Sequence, residues 1–235
     1  MFNANPKIDA VSIAGRHVCY VVDDAVLEPD RWIEYAMAHR DAFAMATFNA
    51  YPGLEFHLPE TRSMLLDDFF RLHIRGLFHA RRTLQMYSRL SMVTLAPVQL
   101  KPIQWLCHRD RMGVPPRQCI AASVLYLFKD EDLGGTSFFM PRRSPEETEE
   151  LMRFAATSAP DAFVAASGVE PNYLVDSNAY FERVCTIPAK WNRMIFYDGS
   201  LFHSPDIRAA HRLSAEPDRG RLTLNGFYTC SRIAS

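Results

Sequence analysis

The spacing of hydrophobic residues along the chain changes in character near residue 91. Before that point, residues 17–22 form a β-branched, apolar run that predicts a strand. The segments that follow carry apolar residues at roughly helical spacing, which predicts helices from about Pro29, over 61–75 and over 77–90. The first 90 residues are therefore predicted to form a strand and helices.

Beyond residue 91 the apolar residues occur in short runs separated by Pro, Gly and Asp, which is typical of strands. Ser144 and Glu147 form a capping box with Pro at the first helical position, and this predicts a helical insertion over 141–182. The insertion is either a lid over the mouth of a barrel or a structural elaboration. The strand-like runs are 92–95, 103–107, 119–128, 136–140, 184–187, 194–197 and 222–228. Together they predict an α+β, mainly β fold with a jelly-roll core.

Composition and charge narrow the class of protein further. The chain has 235 residues, of which 48% are hydrophobic and 23% charged, so a single domain over 1–235 is expected, with 1–90 packing on a barrel formed by 91–235. A formal net charge of −1 gives no general attraction to nucleic acid or to a membrane surface, so neither partner is expected. Five cysteines without a C-x-x-C pair, and no secretory signal, favour a cytoplasmic setting. Nothing in the sequence indicates the oligomeric state.

The first candidate for chemistry is a His and an Asp two residues apart, His108 and Asp110, after a strand-like run. Side chains at positions i and i+2 of an extended backbone point the same way, so both can bind one metal ion. Two His and one carboxylate suit non-haem Fe(II), because they leave positions open for other ligands. A second His is therefore expected elsewhere. The same tripeptide occurs in protein kinases, but the other kinase motifs are missing here.

The order of the later segments makes the prediction of a metal site at His108 and Asp110 more specific. A long strand-like run over 121–128 is followed by an acidic turn and by Gly134 and Gly135. A further run ends in an Asp-Gly turn just before His203, and the last run begins with Arg221. This succession resembles the prolyl-hydroxylase-like branch of the Fe(II)/2-oxoglutarate-dependent dioxygenases, whose core is a double-stranded β-helix. The resemblance covers about 104–229 apart from the insertion.

The resemblance implies a reaction and a set of site residues. Fe(II) would be the metal, 2-oxoglutarate the co-substrate and O2 the oxidant, with succinate and CO2 released. The implied iron ligands are His108, Asp110 and His203. Arg221 would pair with the distal carboxylate of 2-oxoglutarate, since a planar guanidinium matches a carboxylate. The hydroxyl of Tyr126 would bind the same carboxylate, and Thr223 lies on the same strand face as Arg221 and could add a hydroxyl.

Several alternatives stay open at this level. His211 and Arg212 compete with His203 and Arg221, because the interval between the latter two is longer than in small prolyl hydroxylases; 205–220 nevertheless reads as a polar loop. Rival functions are a jelly-roll metalloenzyme that does not use 2-oxoglutarate and a non-catalytic binding module. Halogenating relatives lack the carboxylate ligand, so Asp110 favours hydroxylation. The substrate would be an amino acid, a peptide or another small molecule, selected by the insertion.

Overall fold

The core of the molecule consists of two antiparallel β-sheets. The structure is a computed structural model, which describes residues 1–46, 50–110 and 115–232. Within these residues the large sheet has eight strands and the small sheet has three. From one edge to the other, the strands of the large sheet are β1 (Asp9–Ile13), β2 (His17–Val22), β9 (Met194–Asp198), β6 (Gln118–Tyr126), β11 (Arg221–Arg232), β5 (Ala80–Val93), β4 (Gly53–His57) and β3 (Ala44–Met45).

The small sheet covers one face of the large sheet. Its strands are β7 (Thr136–Pro141), β8 (Phe181–Ile187) and β10 (Phe202–Pro205). Phe138 and Ile187 from the small sheet pack in one apolar cluster with Tyr126, Ile195 and Tyr197 from the large sheet. Burying both inner faces against each other removes a large apolar area from water and holds the two layers together. The fold is a double-stranded β-helix with an α+β, mainly β composition, as the sequence predicts.

The N-terminal helices cover the opposite face of the large sheet. These are α1 (Asp30–Ala38) and α2 (Glu60–Phe69), and a π-helical turn, Phe70–Ile74, continues α2. The ring of Phe70 stacks on that of Tyr228 in β11, with 3.9 Å between centroids. The helices predicted from Pro29 and over 61–75 are therefore confirmed in position. Both present an apolar side to the sheet.

The helix predicted over 77–90 is wrong, because this segment forms most of strand β5. It pairs with β11 along most of its length and with β4 over residues 89–93, so its backbone is hydrogen-bonded by partners distant in sequence. Such tertiary pairing overrides a weak local preference. The first 90 residues thus supply several strands of the large sheet in addition to the expected helices. The strand predicted over 103–107 is also wrong; a 3₁₀ helix, Pro102–Trp105, begins there at Pro102.

The insertion forms two helices that pack beside the small sheet. Helix α3 (Pro145–Thr157) begins with the predicted capping box: the Glu147 N–H donates to Ser144 Oγ at 3.2 Å, and the Ser144 N–H donates to Glu147 Oε2 at 3.0 Å. Helix α4 (Pro160–Ser167) follows, and Phe163 packs in one apolar cluster with Phe202 of β10. No helix in the described parts of the chain is long and apolar enough to cross a membrane.

Candidate metal and co-substrate site

Backbone hydrogen bonds bring the three predicted metal ligands together. The N–H of His108 donates to the carbonyl of His203 at 2.9 Å, and the N–H of His203 donates back to His108 at 2.9 Å. Two residues on, the N–H of Asp110 donates to the carbonyl of Gly199 at 2.9 Å. The segment that carries His108 and Asp110 therefore lies beside β10, and both imidazoles face the same side of this backbone pair.

The donor atoms of the three side chains are close enough to share one ion. Ligand atoms of His108, Asp110 and His203 all lie within 4.8 Å of one another. His203 Nε2 is 3.7 Å from Asp110 Oδ1, which allows one ion at about 2.0–2.2 Å from each atom. Asp110 Oδ2 is buried and has no hydrogen-bond partner among the described residues. A buried carboxylate oxygen without a partner is costly, and a cation would satisfy it. The donor set thus fits a divalent metal.

The hydrogen bonds of His203 determine which ring nitrogen is available. Its Nδ1 lies 2.9 Å from the carbonyl of Leu201, and a carbonyl can only accept, so Nδ1 carries the proton. Nε2 then carries a lone pair and no proton, and the hydroxyl of Tyr197 donates to it at 3.1 Å. A carbonyl partner on the far nitrogen is the usual way to orient a metal-binding imidazole. Tyr197 was not anticipated from the sequence.

Burial and neighbouring charges shift the pKa values of two of the proposed ligands, His108 and Asp110. Burial, with repulsion from His203 and Arg89, lowers the pKa of His108 well below its usual value, so this imidazole is neutral at pH 7. Burial raises the pKa of Asp110, and attraction by His203 and Arg89 opposes that rise. A neutral imidazole and a carboxylate that lacks a hydrogen-bond partner are the forms that bind a metal ion.

Gly199 allows the close approach on which this arrangement depends. A Cβ atom at this position would lie 2.7 Å from Cγ2 of Ile120 and 3.4 Å from Oδ2 of Asp110. The first distance is shorter than side-chain carbons tolerate, so any other residue would push against the strand that supports the Asp110 ligand. The Asp-Gly turn before His203 therefore has a steric role in the site.

Arg221 is a buried cation at the start of β11 that has no ion-pair partner among the described residues. Its side chain is 4% exposed; Nε donates to the carbonyls of Leu133 and Gly134, each at 3.0 Å, and Nη2 donates to Gly135 at 2.8 Å. Burial lowers its pKa from the usual value, but a guanidinium stays charged in proteins. No carboxylate of the described residues forms an ion pair with it, and Nη1 has no hydrogen-bond partner among them. One edge of the guanidinium remains available to an anion.

The other two residues predicted to bind the co-substrate, Thr223 and Tyr126, also lie near Arg221. Thr223 lies two residues along β11 and points to the same face, and its hydroxyl donates to the carbonyl of Ser91 at 3.3 Å. The ring centre of Tyr126 is 5.9 Å from Cζ of Arg221. The Tyr126 hydroxyl shares a 2.9 Å hydrogen bond with Oγ1 of Thr136. Thr136, rather than Tyr126, reaches the cavity wall described next.

Two cavities meet at the metal-ligand cluster. The inner cavity has a volume of about 70 Å³ and the outer cavity about 330 Å³. Both contain His108 and Asp110, but Arg221, Thr223 and His203 line only the inner cavity. Residues that line both cavities and were missed from the sequence are Tyr51, Pro52, Arg89, Pro205 and Phe227. Tyr51 and Arg89 were missed because strands β4 and β5 were not predicted; correct assignment of β5 would have placed Arg89 and Tyr87 on one face.

The competing residues considered from the sequence lie apart from this cluster. His211 is exposed, in a 3₁₀ turn that spans Ala210–Arg212. Arg212 is half-exposed and pairs with Asp130 and Asp132 at the surface. Neither residue lines the inner or the outer cavity. The structure therefore brings His203 and Arg221 to the site and leaves the alternatives outside it.

Comparisons with solved structures show the fold at low sequence identity. SnoK, a non-heme α-ketoglutarate-dependent carbocyclase from nogalamycin biosynthesis, is 15% identical with a TM-score of 0.50, over 91% of this chain and 81% of SnoK. A Pseudomonas putida prolyl-4-hydroxylase is 16% identical with a TM-score of 0.46, over 93% of this chain and 95% of the other. Iron-bound HygX from Streptomyces hygroscopicus is 12% identical with a TM-score of 0.49, over 89% and 81%. No curated protein matches the sequence.

Family membership follows from a match over nearly the whole chain. Residues 4–228 match the model of a family described as a family of unknown function, DUF6445. This range includes both sheets as far as the middle of β11, together with the insertion and every residue of the candidate site. The fold is similar to that of SnoK, a non-heme α-ketoglutarate-dependent enzyme. The chain belongs to the DUF6445 family.

Proposed function

We propose that this protein is an Fe(II)- and 2-oxoglutarate-dependent oxygenase that hydroxylates a C–H bond of an amino acid, a peptide or another small molecule. The observation that carries the proposal is the position of Arg221. Its buried guanidinium, which no described carboxylate pairs with, lines the same inner cavity as His108, Asp110 and His203. A buried, unpaired charge is unfavourable, and a dicarboxylate that reaches from the metal to Arg221 would neutralise it.

The residues of this chain have separate tasks in the proposed reaction. His108, Asp110 and His203 hold Fe(II) through two neutral nitrogens and one carboxylate, which leaves positions open on the metal for 2-oxoglutarate and O2. The carbonyl of Leu201 keeps the ring of His203 in the correct tautomer. O2 would be the oxidant, which bound iron would activate, and 2-oxoglutarate would be oxidised alongside the substrate to give succinate and CO2.

Backbone hydrogen bonds orient the guanidinium of Arg221 before 2-oxoglutarate binds. The backbone carbonyls of Leu133, Gly134 and Gly135 hold its Nε and Nη2, so the guanidinium plane is fixed before any ligand arrives. The edge that includes Nη1 remains to accept the distal carboxylate of 2-oxoglutarate, with Thr223 and Thr136 as hydroxyl groups in the same wall. A charge-assisted contact to a preorganised guanidinium loses less conformational entropy on binding.

Two features favour this reaction over its alternatives. A metalloenzyme that does not use 2-oxoglutarate would need the three ligands but would have no use for an unpaired cation in the inner cavity. Asp110 is present as the carboxylate ligand, so the position that a halide would take in a halogenating enzyme is filled. These features support hydroxylation as the outcome; the likeness to SnoK supports only the fold.

The test is an anaerobic titration of the protein with Fe(II) and then with 2-oxoglutarate, followed by visible absorption. The expected result is a coloured chelate that forms with about one 2-oxoglutarate per protein and is absent from His203→Ala. Succinate release is then measured in air. Absence of the chelate in the folded wild-type protein would refute the proposed function.

A further inference from the structure

The outer cavity has a wall that combines positive charge with aromatic surface. Arg89 and Arg109 line this cavity, as do the rings of Tyr51, Tyr87 and Phe227. Among the described residues of its lining, the one carboxylate belongs to Asp110, which is a proposed metal ligand. The cavity therefore offers cationic and aromatic groups to whatever occupies it. Its volume of about 330 Å³ is at the lower end for small-molecule sites, about 300–1,000 Å³.

Arg89 is held in this wall from three directions. Its Nη1 lies 2.9 Å from Oε1 of Glu55, whose side chain is 3% exposed. The guanidinium carbon lies 4.7 Å from the ring centre of Phe227 and 5.6 Å from that of Tyr51. Its Nε is buried and has no hydrogen-bond partner among the described residues. These contacts fix the guanidinium while leaving one of its buried donors unused.

The buried ion pair of Arg89 and Glu55 is poorly explained by a contribution to the stability of the fold. Side chains of both residues are nearly inaccessible to solvent, at 11% and 3%. Burying such a pair costs desolvation that its attraction barely recovers, so apolar residues would stabilise this wall at least as well. Glu55 does not line either cavity, whereas Arg89 lines both. The pair thus presents its cationic member to the space beside the metal ligands.

We propose that Arg89 binds a carboxylate of the substrate in the outer cavity, and that the substrate is a small organic acid with an apolar or aromatic body. The proposal rests on the proposed function, because it takes the outer cavity as the place where the oxidised molecule lies. The carboxylate contacts the guanidinium, and the body packs against Phe227 and the other rings. Arg221 remains the partner of 2-oxoglutarate in the inner cavity.

The test compares phenylacetate with phenylacetamide, which differ in charge but have nearly the same shape. The protein is saturated with Ni(II) and 2-oxoglutarate, so that no turnover occurs and the inner cavity is filled, and binding is measured by calorimetry. Wild-type protein is expected to bind the acid about tenfold to a hundredfold more tightly than the amide, as for a charge-assisted hydrogen bond. Arg82→Gln, an exposed residue of the same strand, is the matched control and should keep this preference.

The variants separate binding from a structural role. Arg89→Gln alone leaves Glu55 buried without its partner and can unfold the protein, so the decisive variant is Glu55→Gln/Arg89→Gln. In it the acid and the amide should bind equally. Glu55→Gln alone should keep or increase the preference, because it removes a negative charge from behind the guanidinium. If the pair were purely structural, Glu55→Gln and Glu55→Gln/Arg89→Gln would instead impair ligand binding to the same extent.

Three outcomes would overturn the assignment of Arg89. They are equal binding of acid and amide by the wild type, no binding of either, and a preference for the acid that survives the double substitution. The titrations with phenylacetate and phenylacetamide are repeated without Ni(II) and 2-oxoglutarate. The binding of 2-oxoglutarate is measured separately on the same protein preparations. Failure of 2-oxoglutarate to bind would refute the proposed function, whereas the acid preference reports on Arg89 in either case.

Discussion

Replacing Arg221 by Leu tests the proposed co-substrate site directly. The substitution removes from the inner cavity a buried cation that has no ion-pair partner among the described residues, so an incoming carboxylate loses the charged partner proposed for it. Loss of such a partner costs on the order of 2 to 5 kcal/mol, or roughly thirtyfold to several thousandfold in affinity. Iron binding should persist, because the three proposed ligands are untouched.

The structure also predicts a cost in stability that must be kept apart from the loss of affinity. Arg221 donates to the carbonyls of Leu133, Gly134 and Gly135, and Leu would leave these acceptors unpaired. At about 1 kcal/mol for each lost hydrogen bond, the free energy of unfolding should fall by about 1 to 3 kcal/mol. Arg221→Lys keeps the charge without the planar fork and should bind 2-oxoglutarate with intermediate affinity.

The assay is a pair of anaerobic titrations on each variant, Fe(II) alone and then 2-oxoglutarate at saturating Fe(II), with folding checked by circular dichroism. The exposed residue Arg219 provides a matched control, since Arg219→Leu removes a nearby charge outside both cavities. Weak 2-oxoglutarate binding with normal iron binding is the expected result for Arg221→Leu. Unchanged affinity for 2-oxoglutarate in the folded variant would refute the reasoning and make Arg221 a structural residue.

Three further predictions concern a metal ligand, the glycine next to another ligand and an ion pair outside the site. His108→Ala should abolish succinate formation while circular dichroism remains that of the folded protein; retained turnover would exclude this ligand. Gly199→Ala should weaken metal binding about tenfold or more by crowding Asp110, measured by metal titration, and normal affinity would contradict that steric role. Arg193, with Lys190, lowers the pKa of Asp23 from 3.8 to about 2, so this ion pair stabilises the fold above pH 3.8 and the contribution is lost as pH falls towards 2. Asp23→Asn should therefore reduce the free energy of unfolding at pH 7 by about 0.5 to 1 kcal/mol, allowing for solvent screening, and the difference from wild type should disappear as pH falls through about 2.

Patterns confined to a few consecutive residues were sufficient to predict several elements. The capping box of Ser144 and Glu147 specified the start of α3, because both of its hydrogen bonds are local. The apolar run over 119–128 specified β6, and the i, i+2 spacing of His108 and Asp110 predicted side chains on one side of the backbone. That His203 and Arg221 would join them was an expectation from the order of the motifs and not from any local pattern.

Only the tertiary structure decided which distant segments meet. Residues 77–90 have an ambiguous period and become a strand because their backbone pairs with β11, and β4 pairs with the end of the same strand from Arg89 onwards. That pairing turns Arg89 towards the metal ligands, where its side chain contacts the ring of Phe227 of β11 and forms an ion pair with Glu55 of β4. In the same way, the pairing of His108 with His203 completes the ligand cluster. The sequence determined the faces and ends of single elements, since these depend on neighbours along the chain. Strand partners and the charges they bring together depend on backbone hydrogen bonds and packing between remote segments, which no short window of sequence contains.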